Sequence, residues 1–136
     1  MYKHTVKSAA DHLATEQDLP QNATAFGNHG SLEFAGAMGA LEVVVTAASD
    51  ISLAQDATLT IGLEHSADDG VQEAFANVGE QFAAVSASGP LAFEEGEVVC
   101  RLAVPSTLKK HARLTLATTD AAATGAVDAW LEYLAR

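Results

Sequence analysis

A chain of 136 residues, 49% hydrophobic and 18% charged, is the size of one domain and too apolar to remain disordered. Its 7 basic and 18 acidic residues leave a net charge of −11, which argues against nucleic acid or an anionic membrane as partner, since both are gripped by Lys and Arg. The single cysteine, Cys100, excludes an internal disulfide and a cysteine-based zinc site.

The first 28 residues are polar and irregular, broken by Pro20 and Gly27. They read as an N-terminal arm, 1–28, outside the region of clear alternation. Within it Ser8–Glu16 is compatible with a short helix capped by Ser8, or with an extended arm. The N-terminus has no apolar signal-peptide core and no stretch approaches the ~20 apolar residues of a spanning helix, so synthesis and folding in the cytoplasm are expected. The triplet Asn22-Ala-Thr24 matches a glycosylation pattern that has no meaning without secretion.

From Ser31 the residues alternate. Leu32 and Phe34 share one face, and Ala35–Gly39 turns the chain without either phosphate-loop pattern, GxGxxG or GxxxxGK[ST]. Leu41, Val43, Val45 and Ala47 form one face of a β-rich run, and Leu59, Ile61 and Leu63 one face of the next. Ser66-Ala-Asp-Asp-Gly70 is turn chemistry, because Asp bonds its own backbone and Gly supplies positive φ. Residues 71–95 are ambiguous: Val71, Phe75, Val78 and Phe82 have roughly helical spacing, yet Gly79 interrupts them, and a short strand surrounds Leu91–Phe93.

The clearest stretch is Glu97–Thr119. Val98, Cys100, Leu102 and Val104 point inward in its first strand; Ala112, Leu114 and Leu116 do so in its second. Pro105 ends the first, since it has no N–H for a central ladder. A basic connector, Thr107–Lys110, joins the two. The segment from Gly125 reads as a strand with Val127, Ala129, Leu131, Tyr133 and Ala135 on one face, or as a helix through Val127, Trp130, Leu131 and Leu134; neighbouring strands favour the strand. The sum is six to eight strands spaced by turns, an all-β antiparallel sandwich or barrel over residues 29–136.

Little chemistry emerges. His65 with Asp68 and Asp69 could hold a divalent ion, but the aspartates suit the turn better. His4, His12 and His29 fall in the irregular region, and His111 on a wet face. There is no HExxH, EF-hand loop or GxSxG elbow, so neither enzyme activity nor a cofactor or metal is expected. Trp130 lies opposite Leu131 and Tyr133 on a strand, where it would be an outward contact residue, whereas on a helix it would join the core. Lys109-Lys110 would meet an acidic partner or keep the connector soluble.

The pieces LEVVVTAASDISLAQDATLTIGLEHSADDG and GEVVCRLAVPSTLKKHARLTLATTDAAATGAVDAWLEYL, in this order, resemble the small jelly-roll head-decoration (cement) proteins of tailed bacteriophages over about Leu32–Leu134. The resemblance implies a jelly-roll-like sandwich and a non-enzymatic virion protein on the capsid exterior. It would bind the major capsid protein as a homotrimer, bridge its copies and resist internal DNA pressure. The arm and connector would carry the contacts, through Tyr2, Lys3, Lys7, Leu13, Leu19, Lys109 and Lys110, with Trp130. The competing expectations are a carbohydrate- or other ligand-binding sandwich, which needs aromatic platforms, and a cupin-like enzyme, which needs inward His and carboxylate ligands.

Overall fold

The structure is a computed structural model, and residues 12–33, 41–105 and 107–133 are described. The alternating stretches pair as antiparallel strands in two sheets. The first has the order β1 (His12–Asp18), β11 (Ala126–Tyr133), β4 (Leu41–Ala47), β9 (Val98–Ala103). The second has β10 (His111–Thr118) followed by β6 (Thr58–Ser66) and β7 (Ala76–Val85). Two short strands, β2 (Thr24–Phe26) and β3 (Leu32–Glu33), share the other side of β10. A small ribbon pairs β5 (Ile51–Leu53) with β8 (Leu91–Phe93).

The inward faces are those the alternation specifies. Val43, Val45, Ala47, Cys100, Leu102, Val127 and Ala129 of the first sheet are buried in one cluster with Leu59, Ile61, Leu63, Leu114 and Leu116 of the second. The C-terminal segment is a strand, paired to β4 from Val127↔Ala47 to Tyr133↔Leu41. Phe34, the small-residue turn 35–39, Leu134 and Ala135 lie outside the described residues.

Four local readings are corrected. The arm does not extend to residue 28: from His12 the chain is strand, β1 lies along β11, and Leu13, Ala14 and Leu19 belong to the core. The same strand rules out a helix over residues 12–16. Its irregular sequence reflects bulges, with register shifts at Ala14 and Gln17 and positive φ at Glu16, so apolar residues do not recur every second position. Residues 76–85 form a strand, and the helical spacing of Val78 and Phe82 comes from a bulge. Three residues, Gly79 to Gln81, stand opposite Gly62 alone. Finally, Val98 points outward and is 43% exposed, because another register shift lets Val99 take the inward place before Cys100.

Gly125 is required where β11 begins. Its φ is +115°, and a Cβ there would lie 2.6 Å from Ile51 Cα and 2.7 Å from the Asp50 carbonyl oxygen. This contact brings the β10–β11 connection against β5. Gly27 permits a similar approach at the other edge, where a Cβ would meet the Leu13 carbonyl oxygen at 2.2 Å.

Register gives the sandwich two distinct ends. One holds Thr107–Lys110, the loop between β6 and β7, the start of β1 and the finish of β11; we call it the lysine end. At the other lie the β4–β5, β5–β6, β8–β9 and β10–β11 connections and residues 18–23, the carboxylate end.

Candidate functional site

At the lysine end a hydrogen-bonded loop meets the connector. Ser66, fully buried at the finish of β6, organises the loop that follows. Its hydroxyl donates to the Glu73 carbonyl at 2.7 Å and accepts the N–H groups of Gly70 at 3.0 Å and Asp68 at 3.2 Å. The Asp68 carboxylate accepts the N–H groups of Gln72 at 2.9 Å and Glu73 at 3.1 Å, and these bonds hold its pKa below the ordinary value. Asp69 accepts the Ser31 hydroxyl, tying this loop to the segment before β3. The aspartates therefore build the turn, as their spacing suggests. At the tip Val71 is 79% exposed, its N–H donated to the Asp68 carbonyl at 3.3 Å.

The connector rests against this loop. Lys109 N–H donates to His65 Nδ1 at 3.1 Å, which places the His65 proton on Nε2. Burial foremost, and then the Lys109 charge, lower the His65 pKa from 6.5. Lys109 and Lys110 are both exposed, and each already has a carboxylate: Lys109 pairs with Glu73, and Lys110 with Glu33 at 3.1 Å. Such pairs are exposed and individually weak, so they hold the loops together loosely and can exchange partners.

On the outer face of the second sheet, Arg113 lies between two rings, 3.7 Å from the centroid of Phe26 and 4.1 Å from that of Phe75, and bonds Glu64 through Nε at 2.9 Å. Sequence reading missed this group. Its only trace was Arg113 on a wet face, because Phe26 and Phe75 come from segments whose strand pairing is not legible locally. Across the first sheet, Arg101 pairs with Glu42 and lies 3.8 Å from Glu132.

Trp130 faces outward from the first sheet, as the strand reading requires, yet it is 7% exposed and so offers little contact area. It sits between His12 and Val44 in the register, with its indole N–H donated to Glu132 at 2.9 Å and the His12 ring 6.1 Å away. Leu13 and Leu19 are core residues and cannot meet a partner from the folded state; packing, which the polar composition around them hid, decides this. Tyr2, Lys3 and Lys7 lie outside the described residues. Of the expected contacts among the described residues, only Lys109 and Lys110 come together at an open surface.

Cys100 is buried, and desolvation pushes its thiol up to about 12, so it is a core side chain and not a nucleophile. Among the described residues no three His, Cys, Asp or Glu side chains are grouped to hold a metal ion, and no helix is long and apolar enough to cross a membrane. The fold and surface define an all-β antiparallel sandwich with a lysine-bearing connector at one end. No family model matches this chain, and no curated protein or solved structure is significantly similar to it.

Proposed function

We propose that this chain is a decoration protein of a tailed-bacteriophage head, a homotrimer that binds the outside of the assembled shell and bridges its major capsid proteins without catalysis. The observation that carries this reading is the strand order. The chain alternates between sheets so that its last strand, β11, inserts between β1 and β4, while β10 inserts between β2/β3 and β6. That interleaving supports a jelly-roll reading, the architecture implied by the resemblance over Leu32–Leu134, and capsid domains are among the users of that architecture. Many copies on one shell multiply a modest contact, since avidity can exceed a single affinity by ~10²–10⁴.

The test is direct. Heads purified from the phage that carries the gene contain this chain by mass spectrometry, heads made without the gene lose DNA at lower temperature, and light scattering of the complex-free protein gives a trimer mass. Purified heads that lack the chain would end this reading.

One observation favours the runner-up, a carbohydrate-binding sandwich: Phe26 is 44% exposed and stacked on Arg113, a small aromatic platform. Glycan-array binding that Phe26→Ala abolishes would establish that function in place of the first.

A further inference from the structure

The loop between β6 and β7 contains a chemically labile pair that the fold itself requires. Asp69-Gly70 is the chain's only Asp-Gly or Asn-Gly sequence. A glycine after aspartate has no side chain to shield its amide nitrogen, so that nitrogen can reach the preceding side-chain carboxyl and close a five-membered ring. The loop needs glycine at this point: Gly70 has a φ of +82°, and a Cβ on it would lie 3.3 Å from two atoms of the Phe75 ring. Asp69 has a φ of +62°, a conformation that aspartate tolerates, and both residues are exposed to water. Yet both reacting groups are held. The Gly70 N–H is donated at 3.0 Å to the hydroxyl of Ser66, which is fully buried and aimed by its own bond to the Glu73 carbonyl at 2.7 Å. The Asp69 carboxylate accepts the hydroxyl of Ser31, 38 positions away in sequence.

We propose that Asp69-Gly70 is the site at which this protein ages by spontaneous aspartate isomerisation, and that Ser66 and Ser31 are the restraints that slow it. The proposal is independent of the decoration reading. In the reaction the Gly70 nitrogen attacks Cγ of the protonated Asp69 carboxyl. The N–Cγ bond forms, the amide proton and the carboxyl hydroxyl leave as water, and a succinimide results. Water then adds to one of its two carbonyls. Breaking the N–Cγ bond restores aspartate; breaking the bond from nitrogen to the main-chain carbonyl carbon leaves isoaspartate, with the main chain running through Cβ and Cγ. One water is lost and one is gained, and nothing is oxidised or reduced. Ser66 opposes the attack because its hydrogen bond keeps the proton on the Gly70 nitrogen and fixes the peptide plane. Ser31 opposes it by restricting the side-chain rotation of Asp69 that ring closure requires. Reaction therefore proceeds through opening of the loop. Isoaspartate adds one carbon to the main chain between Asp68 and the Gln72 and Glu73 amides that it holds, so ageing unfastens the loop on which the connector rests.

The experiment incubates the purified full chain for weeks at physiological temperature and pH, and locates isoaspartate by electron-transfer fragmentation, which separates isomers of equal mass. Residue 69 is expected to isomerise about tenfold or more faster in urea than in the folded parent, the margin that a loop closed by a few hydrogen bonds provides. Ser31→Ala releases the carboxylate alone and is expected to raise the folded rate about threefold or more at an unchanged melting temperature. Ser66→Ala, read against the same variant in urea, is expected to lose most of the difference while protected amides in β10 show that its sandwich is intact. A folded parent that isomerises as fast as the urea sample overturns the restraint, as do Ser31→Ala and Ser66→Ala proteins that age like the parent. Isoaspartate that forms in urea at another aspartate in preference to residue 69, or not at all, overturns the site.

Discussion

Lys109 and His65 are joined by a 3.1 Å hydrogen bond from the backbone N–H of the connector to the ring Nδ1 at the finish of β6. The bond requires a neutral imidazole, and burial together with the Lys109 charge keeps the ring neutral by lowering its pKa from 6.5. A residue 44 positions away in sequence thus fixes the base of the lysine-bearing connector.

The pH dependence follows from that shift. His65 has a lower pKa folded than unfolded, so the unfolded chain binds the proton more readily. Its contribution is complete well above pH 6.5 and is lost as pH falls from there through the folded value. Melting temperatures measured at about pH 7.5 and about pH 5.5 should show this loss, with faster amide exchange at Lys109 on the acid side. In His65→Gln, whose side chain does not titrate, the acid-dependent change at Lys109 should disappear; its persistence would assign the effect to another group.

Asp68 is expected to act locally. Its carboxylate holds Gln72 and Glu73, and a pKa depressed by those bonds means that the loop is held above the ordinary carboxylate range and released as pH falls through the folded value. Asp68→Ala should accelerate hydrogen exchange at the Gln72 and Glu73 amides while leaving β10 protected. Equal loosening of both regions would show that the loop is not an independent unit.

Gly125→Ala should be among the most damaging single substitutions, costing at least about 3 kcal/mol, because a methyl group meets backbone and the φ of +115° is itself unfavourable to it. Chemical denaturation would measure this. Gly96→Ala, which has a positive φ but open space around it, separates the conformational cost from the clash.

Cys100 should resist alkylation in the native state and react only on unfolding, since its thiol is both buried and pushed up to about 12. Cys100→Ala should lower stability by only about 1 kcal/mol, the cost of a small lost side chain. Rapid labelling by iodoacetamide without denaturant would contradict its place in the core.

Much of the framework could be read from period-two alternation alone. The faces Leu59/Ile61/Leu63 and Leu114/Leu116 were legible because neighbouring residues on a strand must face opposite ways, and one face of each is strictly apolar. The method failed wherever a bulge breaks the period: at Glu16, at Gly79–Gln81 and at Val98/Val99. It missed β5, whose three residues have no Gly or Pro beside them, whereas the equally short β8 lies between Gly89-Pro90 and Gly96. Its strand reading put Trp130 on the outward face, its helix reading in the core, and neither showed that His12 and Val44 flank it.

Local sequence was enough to read an all-β sandwich or barrel, the apolar faces of its longer strands, Cys100 inside and the lysines of Thr107–Lys110 outside. Those properties depend on near neighbours along one strand. Only the pairing of strands puts β11 between β1 and β4, brings Arg113 to two distant rings, and sets Lys109 and Lys110 against Glu73 and Glu33. Strand pairing brings together residues tens of positions apart, and no local pattern encodes which strand will be the neighbour.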